Sequence, residues 1–264
     1  DFTINIPFTI SAKAGEGGSI SPNGASLVSS GESKGYRVSA NDGWRIKDVL
    51  VDGGSVGARD DYTFSNVTSD HSIEASFQKI WKVKFVDGIT GEVLKEQVVD
   101  AGSSAEAPQE PSHDGYRFAG WDGDFSHVGG DLTITSRHEP VISVRVPALL
   151  PCKIMADGSV VVPEDYAIEN LSVVPVRATH IETSGTPQDA TYELRDGDTI
   201  VHSWSSADEP ASPLLIGANA SKRLEVKISS VSGDGPWRKL AEKAATSGSA
   251  EEFCKITYTF EAAS

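Results

Sequence analysis

Apolar and polar residues alternate along much of this chain, and short clusters of Gly, Asp and Asn interrupt the alternation. Residues 44–51 alternate strictly, the pattern stops at Asp52-Gly53-Gly54, and it resumes at Val56. Side chains of a strand point to opposite faces in turn, and Asp-Gly favours a tight turn, so this segment predicts a β-hairpin. Residues 15–24 and 62–77 predict further strands around polar turns.

Together, residues 10–77 resemble the divergent B-repeat modules found along Gram-positive surface proteins. The resemblance rests on the order of the motifs just described, and it covers about a quarter of the chain. It implies an extracellular, modular protein and names no ligand. We therefore predict a first all-β module over residues 1–79, which begins with a long alternating strand from Phe2 to Ala14.

The alternation restarts after Gln78-Lys79 and predicts a second module over residues 80–140. A hairpin over 83–99 is followed by a Pro/Ala/Ser-rich link and then by Gly-Tyr-Arg-Phe-Ala-Gly-Trp at 115–121. With Asp-Leu-Thr at 131–133, this segment resembles the internalin-type B repeat. The resemblance implies a β-grasp-like fold with Trp121 in the core.

Residues 141–264 differ from the first two modules in their pattern of strands and turns, and they predict a C-terminal antiparallel β-sandwich. Seven or more short strands are indicated. Residues 236–245 predict the one helix, because Pro begins the segment and good helix formers follow. Residues 156–176 and 256–260 resemble secreted surface-protein sandwiches of Gram-positive bacteria. The predicted fold is thus all-β and multi-domain, with two small repeat modules, a sandwich and one short helix.

Composition excludes some partners. The 23 basic and 38 acidic residues give a net charge of −15, so a phosphate backbone is repelled and nucleic acid is not expected. No apolar run approaches the roughly 20 residues that span a bilayer, so membrane insertion is not expected. Neither a signal peptide nor a sorting signal is recognisable, and we expect the full-length protein to carry both. We expect a monomer.

The chain has two cysteines, Cys152 and Cys254. They are too few and too far apart for a zinc site. Two unrelated buried thiols are one interpretation. We favour a disulfide, because both residues begin predicted strands near the two ends of the third module. Closing so long a loop contributes roughly 4–5 kcal/mol in the chain-entropy model and suits an oxidising exterior.

The chain shows no motif for catalysis, a cofactor or a metal. Gly15-Glu-Gly-Gly lacks the Lys-Ser/Thr of a phosphate loop. No Gly-x-Ser-x-Gly elbow is present, and the six histidines show no metal-ligand spacing. Acidic turns around Asp122, Asp124 and Asp131 and at 195–198 invite a calcium hypothesis, but Asp-Gly is ordinary turn chemistry. We expect no enzyme activity.

Trp204 and Trp237 are the candidate ligand-binding residues, because an exposed Trp stacks on a sugar ring; a core position is the alternative for each.

The leading hypothesis is a non-enzymatic surface protein whose two repeats form a stalk for the sandwich, which binds a host or cell-wall protein or a glycan. One alternative is a carbohydrate-binding accessory region of a larger secreted enzyme. The other is a pilus-like subunit, for which Asn170 and Lys227 are the candidates for an isopeptide bond.

Overall fold

A computed structural model gives the fold of the chain. It describes residues 7–155, 159–185, 190–203, 210, 212–230, 235–247, 252 and 254–263. The chain is mostly β-structure with one short helix, which confirms the predicted all-β, multi-domain class. It divides into two compact units. The first unit runs through Pro111 and again from Phe118 to Arg137, and the second comprises Ser112–Arg117 and the chain from His138 onward.

Between residues 7 and 140, the structure describes eleven strands. They are β1 (Phe8–Ala14), β2 (Gly18–Ser21), β3 (Gly24–Val28), β4 (Lys34–Ala40), β5 (Trp44–Val51), β6 (Gly54–Ser55), β7 (Asp61–Phe64), β8 (His71–Val86), β9 (Val93–Asp100), β10 (Tyr116–Trp121) and β11 (Leu132–Pro140).

Strand β8 is the axis of the first unit. It belongs to an eight-stranded sheet whose main path is β10-β11-β8-β1-β3, with β5 and β9 also paired to β8 and β6 paired to β5. The first half of β8 lies between β1, which is parallel to it, and β5, which is antiparallel. Strands β2, β4 and β7 form a separate sheet. Both sheets contribute to one core, which includes Ile10, Val49 and Ile73 from the large sheet and Val38 and Phe64 from the small one.

The second half of β8 is flanked in a similar way. Here β9 is antiparallel to β8, and β11 is parallel to it on the other side. The resulting order β9-β8-β11-β10 has its central pair parallel. A separate core forms around Val83, Phe85 and Ile134. Trp121 packs against this core, with its ring 5.1 Å from that of Phe85, so its predicted core role is confirmed.

Gln78 and Lys79, after which the alternation was predicted to restart, lie inside β8, and one sheet crosses the position. The buried residues of β8 keep one phase across it: Ile73, Ala75 and Phe77 precede the position, and Val83 and Phe85 follow. All are odd-numbered and therefore lie on the same face of the strand. The assignment of three modules with boundaries at 79 and 140 stays a prediction.

The remaining elements follow residue 141. They are β12 (Val144–Arg145), β13 (Lys153–Ile154), β14 (Val160–Val161), β15 (Ala167–Asn170), β16 (Val176–Ser184), β17 (Ala190–Asp196), β18 (Thr199–Ser203), β19 (Leu215–Ile216), β20 (Ser221–Arg223), β21 (Glu225–Ser230), α1 (Pro236–Ser247) and β22 (Lys255–Ala262).

The second unit is built from small antiparallel sheets. They are β12-β15-β20, β13-β14, β19-β16-β22 and β18-β17-β21, and every pairing described between these strands is antiparallel. Ile168, Ile181 and Leu194 come from the three larger sheets and meet in one core, as expected for sheets packed face to face. The predicted helix is confirmed as α1. Within the described part of the chain, no helix is long and apolar enough to cross a membrane.

Candidate functional site

The point where β8 passes from one core to the next is held by a cation between two aromatic rings. The Nζ atom of Lys79 lies 5.3 Å from the ring centre of Trp44 and 4.7 Å from that of Trp81. Trp44 is the cross-strand partner of Lys79, and Trp81 follows it by two residues, so all three side chains lie on one face. At these distances a cation is attracted to the ring face.

The opposite face carries an ion pair. Arg45 donates through Nε to Oδ1 of Asp100 at 2.7 Å and through its terminal nitrogen to Oδ2. Arg45 is opposite Gln78 and Asp100 is opposite Ile80, which places both side chains on the face that Lys79 does not use. The junction of the two cores is therefore held on both faces of the strand.

Backbone hydrogen bonds continue through the junction on both edges of β8. The amide of Ile80 donates to the carbonyl of Gly43 at 2.9 Å, and the amide of Ala101 donates to the carbonyl of Lys79 at 2.8 Å. Neighbouring residues of a strand direct their backbone groups to opposite sides, so β5 and β9 lie on opposite edges of β8. Arg45 and Asp100 therefore reach across β8 to meet.

An Asp–His–Ser arrangement lies at the start of β8. His71 Nδ1 is 2.7 Å from Oδ2 of Asp52, and its Nε2 is 3.5 Å from Oγ of Ser69. Asp52 sits in the two-residue turn between β5 and β6 with φ of 49°, and its Oδ1 accepts the Ser72 amide at 2.7 Å. The ring of His71 lies against Phe64 at 4.9 Å. The spacing of these residues in sequence did not indicate this group.

The arrangement fits a structural link better than a catalytic relay. A serine nucleophile needs a close hydrogen bond to its base, and 3.5 Å is at the limit of such a bond. Asp52 is 48% exposed and Ser69 is exposed, so water competes for both. Hydrogen bonds to Asp52 from the Ser72 amide and from His71 outweigh the opposing effect of burial and lower the pKa of its carboxyl. A lowered pKa keeps Asp52 charged and paired.

Two grooves of the first unit are shallow. One, of about 210 Å³, lies beside Lys13, Leu50 and Glu74, and the other, of about 420 Å³, lies beside Tyr36 and Asp60. Both are lined by residues within 13–76. Neither is lined by His71 or Ser69.

A hairpin with a tight Asp-Gly turn and a parallel β1–β8 pair characterise the first segment. Residues 8–81 match the model of the divergent InlB B-repeat domain family. The predicted resemblance of the first module is confirmed, and the matched segment ends at Trp81, within β8. No curated protein matches the chain.

Beyond the B-repeat domain, the two predicted disulfide residues are thiols in the structure, and both are half-buried. Burial, and to a lesser extent the nearby Cys254, raise the pKa of the Cys152 thiol. Cys254 also contributes to the raised pKa of Tyr166 and of Tyr258, after burial in each case. The two tyrosine hydroxyls are 3.0 Å apart. The cysteines therefore lie within electrostatic reach of each other.

The candidate ligand-binding tryptophans are not placed by the structure. Trp204 lies outside the described residues, and Trp237 lies in α1 with a side chain that is not described. The tyrosines and Phe260 that the structure describes in the second unit are buried or half-buried, so none of them offers an exposed ring.

Asn170 is used for folding. It is 1% exposed, and its side-chain nitrogen donates to the carbonyls of Val174, Ile216 and Gly217 at 2.9, 3.2 and 2.8 Å. Its side-chain oxygen accepts the Ser172 amide at 2.9 Å. Lys227 is half-exposed, with Nζ 3.6 Å from Glu225. The two candidates for an isopeptide bond thus have other partners.

The acidic residues that invited a calcium hypothesis accept hydrogen bonds from backbone amides or pair with a lysine. Asp122 accepts the Thr135 amide at 2.7 Å, Asp124 accepts the Ser126 amide at 2.8 Å and Asp131 accepts the Lys82 amide at 2.9 Å. In the β17–β18 hairpin, Asp196 pairs with Lys222. The Asp124 contact is ordinary turn chemistry, whereas the contacts of Asp122, Asp131 and Asp196 join segments that are distant in sequence.

The second unit also brings together two histidines that are distant in sequence. The rings of His113 and His138 meet edge to face, with their centres 5.0 Å apart. Sequence spacing gave no signal for this pair, because 25 residues separate them and only the fold brings them together.

Proposed function

We propose that this chain is part of a non-enzymatic, extracellular surface protein in which the first unit is a stalk and the second unit binds a partner. The match of residues 8–81 to a B-repeat domain supports the surface-protein context. The observation that carries the stalk is the unbroken passage of β8 from one core to the next. We further propose that residues 80–140 are a second, internalin-type B repeat.

A shared strand suits a spacer. Its sixteen residues extend over about 50 Å at the usual rise of a strand. Two modules joined by a flexible linker bend freely, whereas two modules on one central strand do not. The cation between the rings of Trp44 and Trp81 and the Arg45–Asp100 pair oppose bending toward either face.

Exposed apolar side chains favour a protein partner for the second unit. Leu171, Leu215 and Val161 are 46%, 54% and 55% exposed, and Leu149 is 83% exposed. A contiguous exposed apolar patch rimmed by polar residues is typical of a protein-binding surface, and we infer that these side chains contribute to one. A glycan needs exposed aromatic rings, and the second unit shows none among its described residues.

A non-enzymatic role is supported by the chemistry of the described side chains. Asp52 and Ser69 are exposed to water, and catalysis by an Asp–His–Ser group requires a water-excluding cleft. Cys254 lies within electrostatic reach of Tyr166 and Tyr258, and burial raises the pKa of the Cys152 thiol, the opposite of an activated nucleophile.

An oxidising exterior leads us to propose that Cys152 and Cys254 form a disulfide in the secreted protein. Their mutual electrostatic influence supports this proposal. The bond would tie the segment before β13 to the start of β22, near the two ends of the second unit.

The binding proposal is tested by biolayer interferometry of the whole chain. The immobilised probes are host extracellular-matrix proteins, peptidoglycan and wall polysaccharide. We expect saturable binding to a protein probe that is lost in Leu171→Ser and Leu215→Ser. Leu27→Ser is the matched control, because Leu27 is 71% exposed on the first unit. Loss in the control alone, or no binding to any probe, would contradict the proposal.

The alternatives have less support. A carbohydrate-binding role depends on Trp204 and Trp237, and a glycan-only response in the same experiment would favour it. A pilus-like subunit requires a Lys–Asn bond, and the contacts of Asn170 and Lys227 argue against that pair.

A further inference from the structure

Strands β1, β8 and β11 run in the same direction. Residues 10–14 of β1 pair in parallel with residues 71–75 of β8. Residues 132–135 of β11 pair in parallel with residues 83–86 of β8. Strand β1 thus pairs with the first half of β8, and β11 pairs with the last four residues of β8. Arg137 is the last residue of the first unit. The start of β1 and Arg137 therefore lie at opposite ends of the sheet, measured along the strand direction.

Tension between these two points loads the sheet along its strands. A pull at the start of β1 draws it backward along β8, while a pull at the end of β11 draws it forward. The interstrand hydrogen bonds lie across this direction, so the bonds of each ladder share the load and must fail together. The amide of Gly15 extends the β1–β8 ladder by donating to the carbonyl of Ala75 at 2.8 Å.

The load passes between the two cores through β8. Strands β1 and β9 lie on one edge of β8 and β5 and β11 on the other, so the two parallel partners are on opposite edges. The covalent backbone of β8 joins the level of β1 to the level of β11. Two contacts hold the neighbouring strands against β8 where one core passes to the next. One is the packing of Lys79 between the rings of Trp44 and Trp81, and the other is the Arg45–Asp100 pair.

We propose that the first unit is a tension-bearing element, in which the β1–β8 and β8–β11 ladders act as two shear clamps in series on one continuous strand. This inference rests on the proposed stalk and specifies what the stalk does: it resists extension when the bound partner and the cell are pulled apart.

Optical tweezers test this proposal on the whole chain. DNA handles are attached through an azide-bearing residue introduced at Pro7 and Arg137, both exposed, which leaves the native cysteines unchanged. The matched geometry uses Pro7 and Leu27. Phe8 and Val28 are direct partners in the antiparallel β1–β3 pair, so this pull opens bonds one at a time. At equal loading rate, we expect the first geometry to rupture at roughly twice the force of the second or more.

A backbone variant identifies the clamp. Gly15→Pro removes the amide that bonds to Ala75, whereas Gly15→Ala keeps it and brings its Cβ no closer than 3.4 Å to that carbonyl oxygen. We expect Gly15→Pro to lower the rupture force in the Pro7–Arg137 geometry only, and Gly15→Ala to change neither. Circular dichroism checks that each variant is folded.

Equal forces in the two geometries, or a Gly15→Pro variant as strong as its Ala control, would overturn the inference. The measurement involves no ligand. Its failure would therefore remove the load-bearing role and leave the binding experiment on the second unit to decide the proposed function.

Discussion

The guanidinium of Arg45 holds the carboxylate of Asp100 across strand β8, although the two residues lie on strands that never pair with each other. Arg45 belongs to the B-repeat domain and Asp100 lies beyond it. The contact exists because β5 and β9 bind opposite edges of β8 where one core ends and the next begins. The two halves of the first unit are therefore expected to unfold together.

This coupling predicts the effect of Ile80→Pro. Proline removes the amide that donates to Gly43 and places a ring in the middle of a central strand, which we expect to cost about 3 kcal/mol or more. Hydrogen exchange should show loss of protection both in β1 and in β9. Ile80→Val keeps the amide and is the control. Protection lost on one side of residue 80 alone would contradict the coupling.

The continuity of β8 could have been predicted from the sequence. Turn chemistry predicted the Asp52-Gly53 hairpin, and both residues adopt the positive φ that such turns require. The apolar phase also continues on odd residues from Ile73 to Phe85, but a polar residue at position 79 was interpreted as a break. Lys79 keeps the phase because two aromatic rings cover its charge. Alternation by itself does not show that a polar residue has such partners.

Gly17→Ala should destabilise the first unit strongly. Gly17 has φ of +96°, and a Cβ there would lie 2.2 Å from the Trp44 ring. Strain and overpacking together predict a loss of about 2–4 kcal/mol in urea unfolding. Gly24→Ala is the matched control, because φ is +83° and no atom lies within 4 Å of the added carbon. The control should lose only about 1–2 kcal/mol. Equal losses would show that Trp44 is not the obstacle.

Asp52 should contribute to acid unfolding. The pKa of its carboxyl is lower in the folded chain, so its contribution is complete above the unfolded value of about 3.9 and disappears as the pH falls through the folded value. We expect Asp52→Asn to be less stable than the parent near neutral pH and to lose less stability on acidification. Urea midpoints between pH 7 and pH 2.5 measure both. Parallel pH profiles would refute the assignment.

Replacing the side-chain donor of Asn170 should lower the unfolding free energy of the second unit. Asn170→Asp keeps the oxygen that accepts the Ser172 amide, but it sets a carboxylate against three carbonyls. We expect a loss of about 2–4 kcal/mol at neutral pH. Part of the loss should be recovered, relative to the parent at the same pH, when acid protonates the carboxyl and restores a donor. A loss that does not depend on pH would point to packing instead.

Cys152 and Cys254 should be bonded in protein prepared without reductant. Thiol titration in denaturant should detect none in the parent and one in Cys152→Ser. In the chain-entropy model, reduction should lower the unfolding free energy of the second unit by up to about 4–5 kcal/mol. Two reactive thiols in unreduced parent protein would rule out the bond.

The remaining contacts could not be predicted from the sequence. Ser69 and His71 are close in the chain, but Asp52 reaches them only because β5 pairs beside β8. His113 and His138 meet only through the fold of the second unit. Residue spacing identifies sites built within one element, and these groups are assembled from several elements.

The unbroken β8 strand also affects proteolysis. Proteases cut where a segment can leave its partners and adopt an extended form in the enzyme's cleft, and flexible links between domains supply most such places. Around residues 79 and 80, backbone groups are hydrogen-bonded to Gly43 on one side and to Ala101 on the other. The first unit therefore gives a protease no flexible link to cut at this position, so the chain can be severed there only after the unit has unfolded.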